Sequence, residues 1–391
     1  MSVVIAILLM ILILGVCIVV HEFGHFIAAR ICKIKVHEFA IGMGPKLWSK
    51  QGKQTRFSLR AIPIGGFCAM GEDDVPTDEG GVLIDDPDAF RNKPKWQRIF
   101  VLIFGSVLNF VLGFLILLII SFTLSSRTVP VIEGFVQGVE PAYNQEGELV
   151  RYGVEAFQHT DILQEGDRIV SVNGMHLFSA QYISEFLRIP EDGQQHIIIR
   201  RDGVRHDLYF EWNPLRLLDE HGQPFLILDD DGETLRYAQT DRFGFYLRQE
   251  GFTFGTRLTH SVNRSFEMVQ IVTFSIGQLF RGQADIADMA GPVGMVDMVH
   301  QVVDAPDVST GLRVEFLLFF AALIAVNLAV INMLPIPALD GGRVLFILIE
   351  AVIRRKIPPK LEGMIHATFF FLLMLLIVFI FFGDIRRIIT R

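Results

Sequence analysis

Ser2-Val3-Val4-Ile5-Ala6-Ile7-Leu8-Leu9-Met10-Ile11-Leu12-Ile13-Leu14-Gly15-Val16-Cys17-Ile18-Val19-Val20 runs without a charge straight into His21-Glu22-Phe23-Gly24-His25. Such an uncharged run is about what one helix needs to cross the roughly 30 Å apolar core of a bilayer. The second segment is an H-E-x-x-H motif continuing that helix. At 3.6 residues per turn, His21 and His25 sit about 40° apart on one face, one turn from each other. Their imidazoles can share one Zn²⁺, with Glu22 beside it to take a proton from a bound water. The bland alternative is two histidines on a helix face that only hydrogen-bond. Location argues against it, because polar groups at the end of a membrane helix need a compensating partner.

Three further stretches lack charge: residues 99–126, 316–339 and 367–383. Together with residues 2–20 they predict four transmembrane helices. The run at 344–349 is too short to span, and is expected to continue the third helix or pack beside it. A cleaved signal peptide at the start is disfavoured, because no Lys or Arg precedes the apolar run. These stretches account for a mean hydropathy of +0.42 with 20% charged residues among 391. That composition excludes a disordered chain. The net charge of −8 speaks against a nucleic-acid partner. The three cysteines, Cys17, Cys32 and Cys68, fit neither a zinc-finger spacing nor a disulfide framework.

Charge asymmetry orients the spans. Residues 30–98 hold 12 Lys or Arg, and five more follow the third stretch. Both segments are expected in the cytoplasm. Residues 127–313 hold 15 basic and 28 acidic residues and are expected outside, as is the N-terminus. The third stretch then enters from outside, and Asp340 arrives at nearly the depth of His21. Pro335 and Pro337 break the helix just before it, and freed backbone at depth must be buried or face a cavity. An Asp-Gly-Gly alone reads as a turn, but the matched depth makes Asp340 the expected third ligand. Two imidazoles, one carboxylate and an open position make a catalytic zinc site.

Outside the bilayer, residues 31–95 alternate in places and read as strands, while 63–71 is apolar but broken by glycines. Residues 72–88 are acidic and read as loop. Leu163-Gln164-Glu165-Gly166-Asp167-Arg168-Ile169-Val170-Ser171-Val172-Asn173-Gly174 gives a turn, a strand and an Asn-Gly turn. A helix over 179–188 and a hairpin over 196–201 and 206–212 follow. This pattern resembles a PDZ domain of the protease-associated kind, with an expanded region at 143–161. It either binds a peptide or C-terminus or serves as a spacer that excludes bulky molecules. The acidic run at 229–231 reads as a solvated loop, and 252–290 as a helix on the outer membrane surface.

Taken together, the chain resembles the site-2 protease family of intramembrane zinc metalloproteases, and within it the bacterial RseP-type regulators of sigma-factor pathways. The matching residues are His21-Glu22-Phe23-Gly24-His25, Asn332 to Gly342, and Gly105-Ser106-Val107-Leu108-Asn109, which is similar to the family's G-x-x-x-N element. Pro63-Ile64-Gly65-Gly66-Phe67 resembles its membrane-reentrant β-loop. The resemblance implies cleavage within the transmembrane segment of single-span proteins, with anti-sigma factors and remnant signal peptides as substrate classes, in the bacterial inner membrane. It also implies roles for named residues. Gly65 and Gly66 would let the β-loop pair with an unwound substrate strand. Asn109, Asn327 and Asn332 would hydrogen-bond that backbone or, alternatively, join helices within the bundle.

The expected architecture is a multi-pass α-helical membrane protein of four transmembrane helices, with an inserted β-rich PDZ-like extracytoplasmic domain and a membrane-reentrant β-loop. Its expected divisions are a membrane core over 1–126, the PDZ-like domain over 127–215, a linker with a surface helix over 216–313, and a second core part over 314–391. The competing reading is a catalytically silent membrane-anchored PDZ scaffold, for which Glu22 between the histidines would have no use. A metal transporter fits poorly with four spans and an outer domain.

Overall fold

A computed structural model describes residues 2–70, 88–144, 149–187, 194–211, 215–219, 221, 223–224, 226–228, 235–237, 244–282, 291–306, 308–355 and 357–390. The expected loop at 72–88, apart from Asp88, and the acidic run at 229–231 lie outside these residues. The chain divides into two compact units, Met1–Ser121 with Met268–Arg391, and Phe122–Glu267.

In the first unit, helix α1 (Ser2–Ile31) runs unbroken through the H-E-x-x-H motif. Helix α2 (Lys95–Thr123) is the second long apolar helix. In the second unit α3 (Ile183–Leu187) is a single short helix, and α4 (Phe254–Phe280) contains the boundary at Glu267 and Met268. Then come α5 (Pro292–Asp304), α6 (Thr310–Asn332), α7 (Asp340–Ile353) and α8 (Pro359–Thr390). Among the described residues, four helices are long and apolar enough to cross a membrane: α1, α2, α6 and α8. The third stretch stops at Asn332, seven residues before its charge-free run ends, because Pro335 and Pro337 cannot continue a helix. The short run at 344–349 belongs to a separate helix, α7.

The core of this unit forms where Ala6, Met10 and Cys17 of α1 meet Val299 of α5 and Phe320, Ile324 and Ala325 of α6. Helix α5, too short to span, is thus a packing element. Helices α1 and α2 approach closely: a Cβ on Gly24 would stand 2.6 Å from the carbonyl oxygen of Phe104 and 2.8 Å from Cα of Gly105. No larger residue fits at that crossing.

Strands β1 (Glu38–Gln51) and β2 (Arg56–Ala69) form a hairpin that folds back on itself. Residues 38–41 pair with 56–59 on one side and 66–69 on the other, while 46–51 pair with 56–60. The spatial order is therefore 46–51, 56–60, 38–41, 66–69. The glycine-broken segment is extended, and its last residues form one edge of this small sheet. Glu38 sits inside the hairpin, accepting from Ser58 Oγ at 2.6 Å and Arg60 Nη2 at 2.9 Å. Burial opposes its charge, but these partners and Lys46 outweigh it and hold the carboxyl below its usual range.

The second unit is β-rich. Strand β3 (Ser126–Phe135) lies between the strands Phe245–Gly251 and Arg168–Val172, followed outward by Gln194–Arg201 and Val204–Glu211. The last two form a hairpin around the Asp202-Gly203 turn, where both residues have positive φ. Asn173 and Gly174 likewise take positive φ at the predicted Asn-Gly turn. The helix expected over 179–188 is α3, confined to Ile183–Leu187 among the described residues.

Candidate active site

His21 and His25 are each about 5% exposed on the face of α1 turned toward α2, α6 and α7. Their Nε2 atoms are 3.1 Å apart. Asp340, the first residue of α7, brings Oδ2 to 3.0 Å from His21 Nε2 and 3.1 Å from His25 Nε2. The ligand-type atoms of these three residues all lie within 4.8 Å of one another. On the far side of the second imidazole, His25 Nδ1 donates to the carbonyl of Val101 at 2.9 Å. That bond assigns the proton to Nδ1 and leaves the Nε2 lone pair facing the cluster. His21 Nδ1 has no hydrogen-bond partner among the described residues, so either a proton on His21 Nε2 or a shared cation relieves the repulsion among these donor atoms.

The donor set fits zinc. Tetrahedral Zn²⁺ with ligands at 2.0–2.1 Å separates neighbouring donors by roughly 3.3 Å, and the three edges here are 3.0–3.1 Å. Gly105 seals one side: a Cβ there would stand 2.6 Å from His25 Nε2 and 2.9 Å from His21 Cε1. The start of α7 is equally tight. Added Cβ atoms on Gly341 and Gly342 would stand 2.3 Å from the carbonyl oxygens of Leu334 and Ile336.

Glu22 is turned toward the hairpin, with its Cγ 3.4 Å from the Cβ position of Gly66. The carbonyl of Ala69 faces β1, where it accepts from His37 N–H at 2.8 Å. By strand alternation the polar backbone groups of Cys68 face the other way, and its N–H interacts with the Glu22 carboxylate. A cavity of about 430 Å³ joins these parts, lined by His21, Glu22 and His25, by residues 67–70, and by Asp340 and Arg343 among others.

The other candidates distribute as follows. Asn332 brings Nδ2 to 3.3 Å from His21 Nε2. Asn109 is fully buried one turn along α2 from Gly105, and among the described residues neither Oδ1 nor Nδ2 has a hydrogen-bond partner. An unpaired buried amide is costly. Asn327, five residues before Asn332 and about 140° round the helix, does not join the cluster. Gly66 lies against Glu22, whereas Gly65 (φ 90°) packs on Met43, whose Sδ would stand 2.7 Å from an added Cβ. Sequence reasoning missed the Val101 carbonyl, the Cys68 N–H, Arg343 and His366, whose imidazole reaches the loop before Asp340. Only contacts distant in sequence reveal them.

A multi-pass membrane protein with two helix-borne imidazoles, a carboxylate and a neighbouring glutamate around one cavity has the makings of a membrane metallopeptidase. The sequence matches peptidase family M50 over residues 9–376, and the chain belongs to that family, the site-2 proteases. It is a zinc metalloprotease. It is similar to zinc metalloprotease RasP of Bacillus licheniformis, at 28% identity covering 97% of this chain and 98% of the relative. It is also similar to the regulator of sigma-W protease RasP of Bacillus subtilis, at 26% identity covering 97% of each.

Proposed function

We propose that the chain cleaves peptide bonds within the transmembrane segment of single-span membrane proteins, with His21, His25 and Asp340 holding the zinc ion and Glu22 moving the proton. The observation that carries this reading is the convergence of three donors and a glutamate on one cavity whose wall is the strand edge 66–69. Bound zinc supplies Lewis acidity, which acidifies a water and polarises a peptide carbonyl. The chain's own part is proton transfer and positioning. Glu22 takes the proton of the attacking water on its carboxylate and returns it to the departing amine nitrogen. The Val101 carbonyl keeps the proton of His25 on Nδ1.

A substrate helix hides its peptide bonds and must unwind. The outward-facing backbone groups at 66 and the Cys68 carbonyl offer it a strand partner, with the hairpin acting as a membrane-reentrant β-loop. Gly65 and Gly66 keep that edge free of side chains. Asn109 and Asn332 take hydrogen bonds from the unwound backbone, with Asn327 further along the same path.

The N-terminus and the PDZ-like domain (127–215) face outside the bacterial inner membrane, and the segment 30–98 faces the cytoplasm. The region 216–313 includes α4, whose Phe254, Leu258, Val262 and Phe266 form an exposed apolar stripe at four-residue spacing, suited to a membrane surface. The PDZ-like domain admits trimmed substrates and excludes bulky ones. By analogy with the sigma-W regulator, anti-sigma factors are the leading substrate class, with remnant signal peptides second. The test is Glu22→Gln in the full chain. It should retain stoichiometric zinc while cleavage of a single-span reporter falls by about 10²-fold or more, and undiminished cleavage would reject the assignment.

A further inference from the structure

Residues 333–339 connect α6 to the candidate ligand Asp340. Buried backbone donors need partners, so each N–H in this loop can be accounted for. Pro335 and Pro337 have none to offer. Met333 and Leu334 donate to the carbonyls of Val330 and Ile331 at 3.1 and 3.0 Å, Ile336 to that of Leu334 at 2.7 Å, and Leu339 to that of Ile336 at 3.1 Å. The remaining donor is Ala338 N–H. It bonds to Nδ1 of His366 in α8 at 2.7 Å.

Ala338 is also the strained residue of the loop. Its φ of 89° lies where a side chain is disfavoured, so surrounding contacts must hold it there. The four local bonds begin and end within the loop or the last turn of α6. Among the described hydrogen bonds of these N–H groups, only the one to His366 comes from elsewhere in the fold. The imidazole is itself held: its ring centroid lies 5.3 Å from that of Phe346 in α7, and Nε2 faces the Glu362 carboxylate at 3.9 Å. Because Nδ1 accepts, the ring proton sits on Nε2.

We propose that His366 is a positioning residue, which pins Ala338 in its left-handed conformation and so sets the Asp340 carboxylate, two residues on, against His21 and His25. The proposal rests on Asp340 being a zinc ligand. It gives α8, a long apolar helix, a part in building the metal site.

The shapes of two amides provide the test. Asn at 366 puts Oδ1 where Nδ1 stands, whereas Gln puts its oxygen where Nε2 stands, out of reach of Ala338. Zinc affinity of the full chain in detergent would be measured by chelator competition, with thermal melting alongside. His366→Asn should stay within about threefold of the unaltered protein. His366→Gln and His366→Leu should bind zinc about 10–100-fold more weakly, the range typical for loss of a group that orients a metal ligand. Adding Ala338→Gly to His366→Leu should recover part of the loss, since glycine takes positive φ without strain.

Equal zinc affinity in the Asn and Gln variants would overturn the proposal, and that comparison suffices if the Leu variant fails to fold. Asp340→Ala in the same assay separates the two claims. Unaltered affinity there defeats the ligand reading itself. Lost affinity there, with the Gln variant matching Asn, defeats only the role of His366.

Discussion

A Cβ on Gly105 would stand 2.6 Å from Nε2 of His25, closer than real side-chain contacts come. The imidazole cannot retreat, because its Nδ1 is tied to Val101 on the same helix, α2. Gly105→Ala should therefore lower zinc affinity tenfold or more and cost about 1–3 kcal/mol of stability through overpacking. Gly363→Ala, in α8 with nothing within 4 Å of the added atom, should leave zinc affinity within error and raise stability by about 0.5–1 kcal/mol, the usual gain for alanine over glycine in a helix. Metal analysis after dialysis against a weak chelator compares the two.

Arg98 at the start of α2 and Glu350 in α7 form a buried ion pair, Nη1 to Oε2 at 3.0 Å, with side chains 9% and 6% exposed. Glu350 Oε1 also accepts from Ile357 N–H at 3.0 Å, fixing the turn after α7. Removing one partner strands a buried charge and should cost about 3–5 kcal/mol. Arg98→Met with Glu350→Met should cost less than the sum of the single changes. Denaturation of the four proteins in detergent gives the coupling directly.

Asp384 near the end of α8 caps α5 from outside that helix. Its carboxylate accepts from the N–H groups of Gly291 at 3.1 Å and Gly294 at 2.9 Å. Gly291, the N-cap residue, has no side chain to do this. Asp384→Ala should lower stability by about 1–2 kcal/mol, the upper range for loss of a helix cap, and Asp384→Asn by less. Thermal unfolding of the purified variants reads the difference.

His260 in α4 provides a pH dependence. Burial, with Arg264 and Arg127 nearby, pushes its imidazole from an ordinary 6.5 down to about 4. Below pH 6.5 the unfolded chain therefore binds a proton that the folded chain refuses. The stability linked to this group is fully present above pH 6.5 and is lost as pH falls toward 4. The drop in melting temperature from pH 7.5 to pH 5 should shrink in His260→Gln.

Much of the site was legible because it obeys local rules. The charge-free runs announced α1, α2, α6 and α8, and the spacing of His21 and His25 needs only the helical period. The placement of Asp340 beside the two histidines followed from the expected span direction and the span lengths, and two prolines explain why α6 ends eight residues before it. The hairpin was harder. Its strands were suggested by alternation, but a strand that pairs on both sides with different parts of the same partner leaves no trace in periodicity. Helix α5 falls in the segment expected as linker and surface helix (216–313): Gly291, Pro292 and Gly294 at its start are weak helix formers, and its cap is supplied by Asp384, some 90 residues later. His366 immediately precedes the charge-free run 367–383 with no local motif around it, and only the folded loop before Asp340 gives it a task.

The sheet edge at 66–69 is paired on one side only among the described residues. Most proteins blunt such rims to avoid sticking to their neighbours. A rim of amide groups takes no account of which residue is presented to it. If substrates dock along this rim, sequence preference would reside less in the enzyme than in its victims: whichever span most readily surrenders its own coil, through a glycine, a proline or a β-branched run, becomes the one that is cut.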